Sequence, residues 1–189
     1  MTQDLFSQSW LNNTLLDDGF IAQKATQLVS THAHQGLYAW LQSHFAAPTL
    51  AVYNEAQLEE KFIAPLLTYL GWGKCYQVGI TVQGKFAKPD YCLTVDPAQE
   101  TALITHKDHR LITAICESKA WNKKLDTGKA DAKNNPHHQL QGYLSTLRVR
   151  FGFLSNGRHW RVYDTDKITA KKTYIEFDLE AIVALDAGP

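Results

Sequence analysis

The pattern of apolar positions changes texture near residue 73. Before it, apolar side chains recur at helical spacing; after it, they fall in short runs broken by turn residues. Residues 18–47 contain no proline, and Leu37, Trp40, Leu41, His44 and Phe45 share one helical face, which predicts a long amphipathic helix ended by Pro48. Asn54 is an N-cap candidate for a second helix with Leu58, Phe62, Ile63, Leu66, Leu67 and Leu70 on its buried face and Gly71 at its end. Pro65 falls inside that pattern and predicts a kink or bend.

Downstream, residues 76–82, 89–95, 101–105 and 111–119 read as strands, with turns at Gln83-Gly84-Lys85 and Lys107-Asp108-His109. Their short connections predict an antiparallel meander of three or four strands. Asn135-Pro136 combines an N-cap with a first-turn proline and opens a helix to about Leu147. Strands at 149–154 and 159–163 flank Asn156-Gly157, a hairpin signal. A last strand begins at Tyr174 and precedes a helix over 179–185. Helices, strands, helix, hairpin is the order of an α+β fold with a mixed sheet.

With 189 residues, 44% of them apolar, the chain can fill one core. Its 19 cationic and 19 anionic side chains cancel, which excludes a protein that holds nucleic acid through its overall field. Any polyanion must be met by a local patch or a bound metal. Three cysteines without CxxC spacing predict no disulfide framework and a reducing compartment. The first residues make a poor signal peptide and no apolar run reaches membrane length, so a cytoplasmic protein is expected. His32, His34 and the pair His137-His138 lack the partners of a zinc site, although the pair opens a helix where it could meet phosphate.

Candidate chemistry lies on two of the expected strands. Asp90 opens one and Glu117-Ser118-Lys119 closes another, where the period of two puts Glu117 and Lys119 on the same face. Strand pairing would add Asp90. Two carboxylates held together repel unless a cation sits between them, and hard oxygen ligands favour Mg2+. The neighbouring lysine can orient or deprotonate a water, or stabilise charge on a phosphate. A surface ion pair is the alternative for Glu117 and Lys119. A second Glu-x-Lys, Glu59-Glu60-Lys61, lies on the expected helix, where i and i+2 do not share a face, and reads as a solvated turn. Gln139 and Tyr143, spaced i and i+4 on the next helix, point the same way. Lys119, Lys123, Lys124, Lys129 and Lys133 face only Asp126 and Asp131, a local positive excess suited to phosphate contacts or to a solvated loop.

In this order the pieces resemble the PD-(D/E)xK nuclease superfamily, and more narrowly its RecB-like branch at the N-terminus of type I restriction subunits and of fused type II restriction-modification enzymes. The resemblance covers residues 54–164. It is carried by Asn54-Glu55-Ala56-Gln57, Leu70-Gly71-Trp72, Lys88-Pro89-Asp90-Tyr91, Cys116-Glu117-Ser118-Lys119-Ala120-Trp121-Asn122, Gln139 with Tyr143, and Leu154-Ser155-Asn156-Gly157-Arg158-His159-Trp160. It implies a restriction-endonuclease-like α/β/α sandwich and a DNA endonuclease that uses Mg2+, with Mn2+ as a substitute. It further implies Asp90 and Glu117 as metal ligands, the Ser118 carbonyl as another, and Lys119 as the catalytic lysine. Gln139 and Tyr143 would brace the site or touch the DNA backbone, and Lys123, Lys124, Lys129 and Lys133 would meet double-stranded DNA.

Of the helical glutamates, Glu55 matches the family better and Glu59 is the alternative; both fall in the apolar sector of their helix, and a Glu at a helix start is also stabilised by the dipole. One departure is the stretch of 26 residues, 91–116, between Asp90 and Glu117, long for this superfamily; a strand-turn insertion at 96–110 would absorb it. Residues 1–50 are expected as an N-terminal helical extension, 51–178 as the nuclease core, and 179–189 as the start of a connecting helix. That helix would lead to methyltransferase, specificity or helicase domains in a longer chain or complex. The competing expectation is a catalytically inactive nuclease-fold module for DNA binding or assembly. An enzyme acting on a small phosphorylated metabolite finds neither a Walker-type loop nor a dinucleotide fingerprint.

Overall fold

The computed structural model describes residues 9–17, 33–127, 134–167 and 172–185. Helix α1 (Ala33–Phe45) and a short α2 (Thr49–Val52) precede α3, which starts as α-helix over Glu55–Leu58, widens to a π-helix over Glu59–Ile63 and resumes as α-helix over Ala64–Tyr69. Residues 18–32 of the expected first helix lie outside the described residues.

Asn54 caps α3 through a reciprocal box: its side chain accepts the Gln57 N–H at 2.9 Å, and the Gln57 side chain accepts the Asn54 N–H at 3.1 Å. Pro65 has no N–H to donate, and just before it the Ala64 N–H reaches back five residues to the Glu59 carbonyl. At the other end Gly71 takes φ +84°. Its N–H bonds the Thr68 carbonyl at 2.9 Å and that of Trp72 bonds Leu67 at 3.0 Å, which closes the helix.

The main sheet has the strand order β1-β9-β8-β7-β6-β5-β2. Its members are β1 (Trp10–Asn13), β2 (Gly73–Tyr76), β5 (Tyr91–Thr94), β6 (Ala114–Ser118), β7 (Phe151–Ser155), β8 (His159–Asp164) and β9 (Tyr174–Asp178). The β6–β7 pair is parallel and the others antiparallel. A separate two-stranded ribbon joins β3 (Ile80–Val82) to β4 (Lys85–Ala87).

Alternation along the strands divides the core in two. Tyr91 and Leu93 of β5 and Ala114 and Cys116 of β6 pack with Leu58, Phe62 and Leu67 of α3, whereas Cys92 and Ile115 pack with Leu140, Leu144 and Leu147 of α5 (Pro136–Leu147). Each fully buried leucine, isoleucine or phenylalanine among these contributes about 1.5–3 kcal/mol. Helices therefore cover both faces of a mostly antiparallel sheet, a mixed α+β architecture. The Asn135 side chain accepts the His137 N–H at 3.0 Å and Pro136 fills the first turn, so α5 starts where its cap residues predict. Cys75, Cys92 and Cys116 are buried free thiols.

Three expectations need correction. Residues 101–105 are not a strand: they belong to α4 (Gln99–His106), an amphipathic helix of about two turns that buries Leu103 and exposes Ile104. The insertion before Glu117 is thus helical, and β2, β5 and β6 alone form the meander. The expected strand over 76–82 breaks at Gln77, whose φ is +48°, so β2 joins the main sheet and β3 the ribbon. The segment expected as a helical extension also supplies β1, an edge strand paired with β9. As expected, α6 (Leu179–Leu185) follows β9; it meets α1, where the Tyr38 hydroxyl donates to the Val183 carbonyl at 3.1 Å. Among the described residues no helix is long and apolar enough to cross a membrane.

Candidate active site

The chemistry-bearing residues meet where β5 begins and β6 ends. The register Tyr91↔Cys116 brings Asp90 opposite Glu117, and the Asp90 N–H points to Glu117 Oε2 at 3.4 Å. The Ser118 N–H donates to Asp90 Oδ2 at 2.8 Å, and the Ser118 hydroxyl lies 2.9 Å from the same oxygen and also against Glu59, with one proton for the two contacts. Lys119 Nζ lies 2.7 Å from Glu117 Oε1, while its own N–H bonds the Ser155 carbonyl of the parallel neighbour at 2.8 Å. From the opposite face α3 contributes two more carboxylates. Glu59 Oε1 is hydrogen-bonded to the Ser118 hydroxyl and lies beside Tyr76; Glu55 Oε2 accepts the Ala120 N–H at 2.9 Å. Glu55, Asp90 and Glu117 thus gather around Lys119, with Glu59 behind Ser118. A cleft of about 410 Å3 lined by Glu59, Tyr76, Tyr91 and Lys74 opens beside them.

This grouping stores negative charge. Burial, with Asp90 alongside, pushes the Glu117 carboxyl up to about 7 against the pull of Lys119. Burial also raises Glu59, partly offset by the Ser118 hydroxyl. Burial works against the charged form of Lys119, yet Glu117 outweighs it and holds the ammonium above its ordinary value. A divalent cation between Asp90 and Glu117 would relieve the repulsion. Among the described residues no three His, Cys, Asp or Glu side chains form a ready cage. Two carboxylates fit Mg2+, which binds one or two of them and completes its octahedron with water and phosphate oxygens.

The remaining predicted residues divide. Gln139 and Tyr143 bond one another at 3.2 Å on the outer side of α5 and make no hydrogen bond to the carboxylates among the described residues. Lys123 and Lys124 are exposed on the segment after the site; Lys129 and Lys133 lie outside the described residues. His137 is not placed for phosphate: it is buried against Tyr163, whose hydroxyl is 3.1 Å from Nδ1, and burial, then Lys172, lower it to about 4. His138 stays exposed.

The solvated-turn reading holds for Glu60 and Lys61 but fails for Glu59, which is 5% exposed on the first residue of the π turn. Its signal was a carboxylate next to Leu58 and three residues before Phe62, in the apolar sector of a helix that Pro65 distorts. Tyr76 carried no signal, because only the break at Gln77 leaves it facing Glu59.

No family model, no curated protein and no solved structure matches this chain. The site itself is what speaks for its chemistry.

Proposed function

We propose that the chain is a Mg2+-dependent DNA endonuclease of the PD-(D/E)xK type, on the RecB-like branch, hydrolysing phosphodiester bonds of duplex DNA within a restriction system. The observation that carries this reading is the meeting of Asp90, Glu117 and Lys119 at adjoining strand ends, with a carboxylate excess that a cation would neutralise. A mixed sheet flanked by helices, with Asp on one strand and Glu-x-Lys on its neighbour, supports a restriction-endonuclease-like fold.

Asp90 and Glu117 would hold Mg2+, or Mn2+ with the same preference for oxygen ligands. The bound ion supplies positive charge to the scissile phosphate and lowers the pKa of a bound water. Ser118 fixes Asp90 through its N–H before any ligand arrives, which sets the carboxylate's orientation. Lys119 stays protonated beside Glu117, which suits it to stabilise charge on the attacked phosphate rather than to accept a proton. Gln139 and Tyr143, braced on each other, offer an amide and a phenol to the DNA backbone. Site choice falls to methyltransferase, specificity or helicase domains of a longer chain or complex, and the isolated chain cuts slowly and without defined sites.

Conversion of supercoiled plasmid to open circles tests the reading. Nicking is expected with Mg2+ and not with EDTA or with Glu117→Gln. DNA binding without nicking in Mg2+ or Mn2+ would favour the inactive binding or assembly module instead.

A further inference from the structure

The β3–β4 ribbon has no part in the carboxylate site, yet it is rooted there. Its two legs are joined at the base by the Gln77 N–H bonding the Asp90 carbonyl at 2.8 Å. Between that bond's partners the chain runs out and back through a two-residue turn, Gln83-Gly84, with both φ values positive at 50° and 78°. Ile80, Val82 and Ala87 face inward and pack with Leu140, Leu144 and Leu147 of α5, the helix that carries Gln139 and Tyr143. The tip is pinned as well: Arg148, at the end of α5, donates through Nη2 to Gln83 Oε1 at 2.7 Å.

The outward face of this fixed ribbon has an unusual makeup. Phe86 is 66% exposed, although an apolar ring in water is unfavourable. The ring is nonetheless seated, because a Cβ at Gly79 would come within 2.8 Å of two of its carbons, so glycine there lets it rest on the backbone. Lys88 follows two residues on, toward the base, and Lys85, the register partner of Val82, stands at the tip on the other side of the strand; both are exposed and in no ion pair among the described residues. From Gln77 to Pro89 there is no acidic residue. On a chain of zero net charge, this hairpin carries two cations and an exposed aromatic ring with no acidic residue among them. Phe86 stands four residues from Asp90, at most about 14 Å along extended chain, or about four base steps of DNA.

We infer that the ribbon is the arm that engages duplex DNA, with Lys85 and Lys88 on phosphates and Phe86 wedged at a base step near the scissile bond. The inference rests on the reading of the chain as acting on DNA. Two-stranded ribbons fit DNA grooves, and an inserted phenyl ring partly unstacks a step and bends the helix, which would present the scissile phosphate to a recessed carboxylate site.

The test measures the affinity of the full chain for a short duplex in Ca2+ by fluorescence anisotropy, and base unstacking by 2-aminopurine placed near the cut. Phe86→Ala should weaken binding five-fold or more and abolish the 2-aminopurine rise. Lys85→Ala with Lys88→Ala should lower the slope of log K against log salt by about 1.8. Phe86→Trp should restore both signals, and unchanged melting temperatures would show that the ribbon stays folded. These results support the arm whether or not the chain cuts DNA. Wild-type binding and unstacking in Phe86→Ala and in the double lysine variant would overturn it, while Glu117-dependent cleavage would still stand. Failure of the wild-type chain to bind duplex at all would overturn it too.

Discussion

Two clusters of partly buried charge lie in this molecule, and they are balanced in opposite ways. At the ends of β5 and β6, Glu55, Asp90 and Glu117 surround Lys119, and Glu59 lies behind Ser118. Across β8 and β9, Arg161 and Lys172 face Glu176 and Asp126 one for one. Arg161 Nε pairs with Glu176, its guanidinium stacks 4.3 Å over Tyr174, and Lys172 Nζ lies 2.6 Å from Asp126. Their titrations diverge accordingly. Although burial opposes it, Lys172 and Asn135 keep the Asp126 carboxyl below its ordinary value, whereas burial and Asp90 push Glu117 up to about 7. Neutral pairing stabilises a fold; unbalanced charge does so only with a ligand, and it is kept where a ligand is used.

The comparison breaks first in activity. Glu117→Gln or Lys119→Ala should reduce plasmid nicking by about 10³-fold or more, while Arg161→Met leaves the rate of the folded enzyme unchanged. Stability should move the other way. Arg161→Met strands Glu176 and should lower the free energy of unfolding by about 2–3 kcal/mol, less than a fully buried pair would because Glu176 remains 21% exposed. Glu117→Gln removes a repelled carboxylate and should raise the melting temperature or leave it unchanged. Urea titration of both variants checks the pair of signs.

Acidification sharpens the contrast. Glu117, facing Asp90 and Lys119, titrates near 7 in the folded chain against 4.5 ordinarily, so its contribution is complete below pH 4.5 and is lost as the pH rises through 7. His137, facing Lys172, Asp126, His138 and Arg161, titrates near 4 against 6.5, so its contribution is present above pH 6.5 and is lost as the pH falls through 4. Between pH 7 and 5 the two oppose each other. Glu117→Gln should therefore expose a fall in stability on acidification, and His137→Gln a rise, each on the order of 1–2 kcal/mol by denaturant melts at several pH values.

How much of this could be read from the sequence depends on how local each signal is. The face of α3, the Asn54 and Asn135 caps and the alternation along β5 and β6 rest on spacings within one element, and the structure reproduces them, except that Leu70, expected on that face, ends the helix 48% exposed. The Glu-x-Lys pair followed from the period of a strand. Helix α4 was missed because eight residues hold too few turns for a helical period to show, and Thr-Ala-Leu-Ile-Thr has the composition of a strand. Strand β1 was missed because its pairing depends on β9, more than 150 residues on in the sequence. Glu59 reads in the sequence both as part of a solvated Glu-x-Lys turn and as the alternative to Glu55 in the apolar sector; the structure buries it on the first residue of the π turn before Pro65.

The smallest effect concerns Lys123 and Lys124, next to the site but exposed. Replacing each by alanine should weaken duplex binding evenly across sequences and lower the salt slope by about 1 per lysine, without altering the metal dependence of cleavage.

The claim that the carboxylate excess is a cation site is met most directly by titrating Mn2+ into the chain at pH 8 and following free metal by electron paramagnetic resonance. Saturable binding is expected in the wild-type chain and in Arg161→Met, with Mg2+ as competitor, and its loss in Glu117→Gln. Equal binding in Glu117→Gln and wild type, or none in either, would contradict the account.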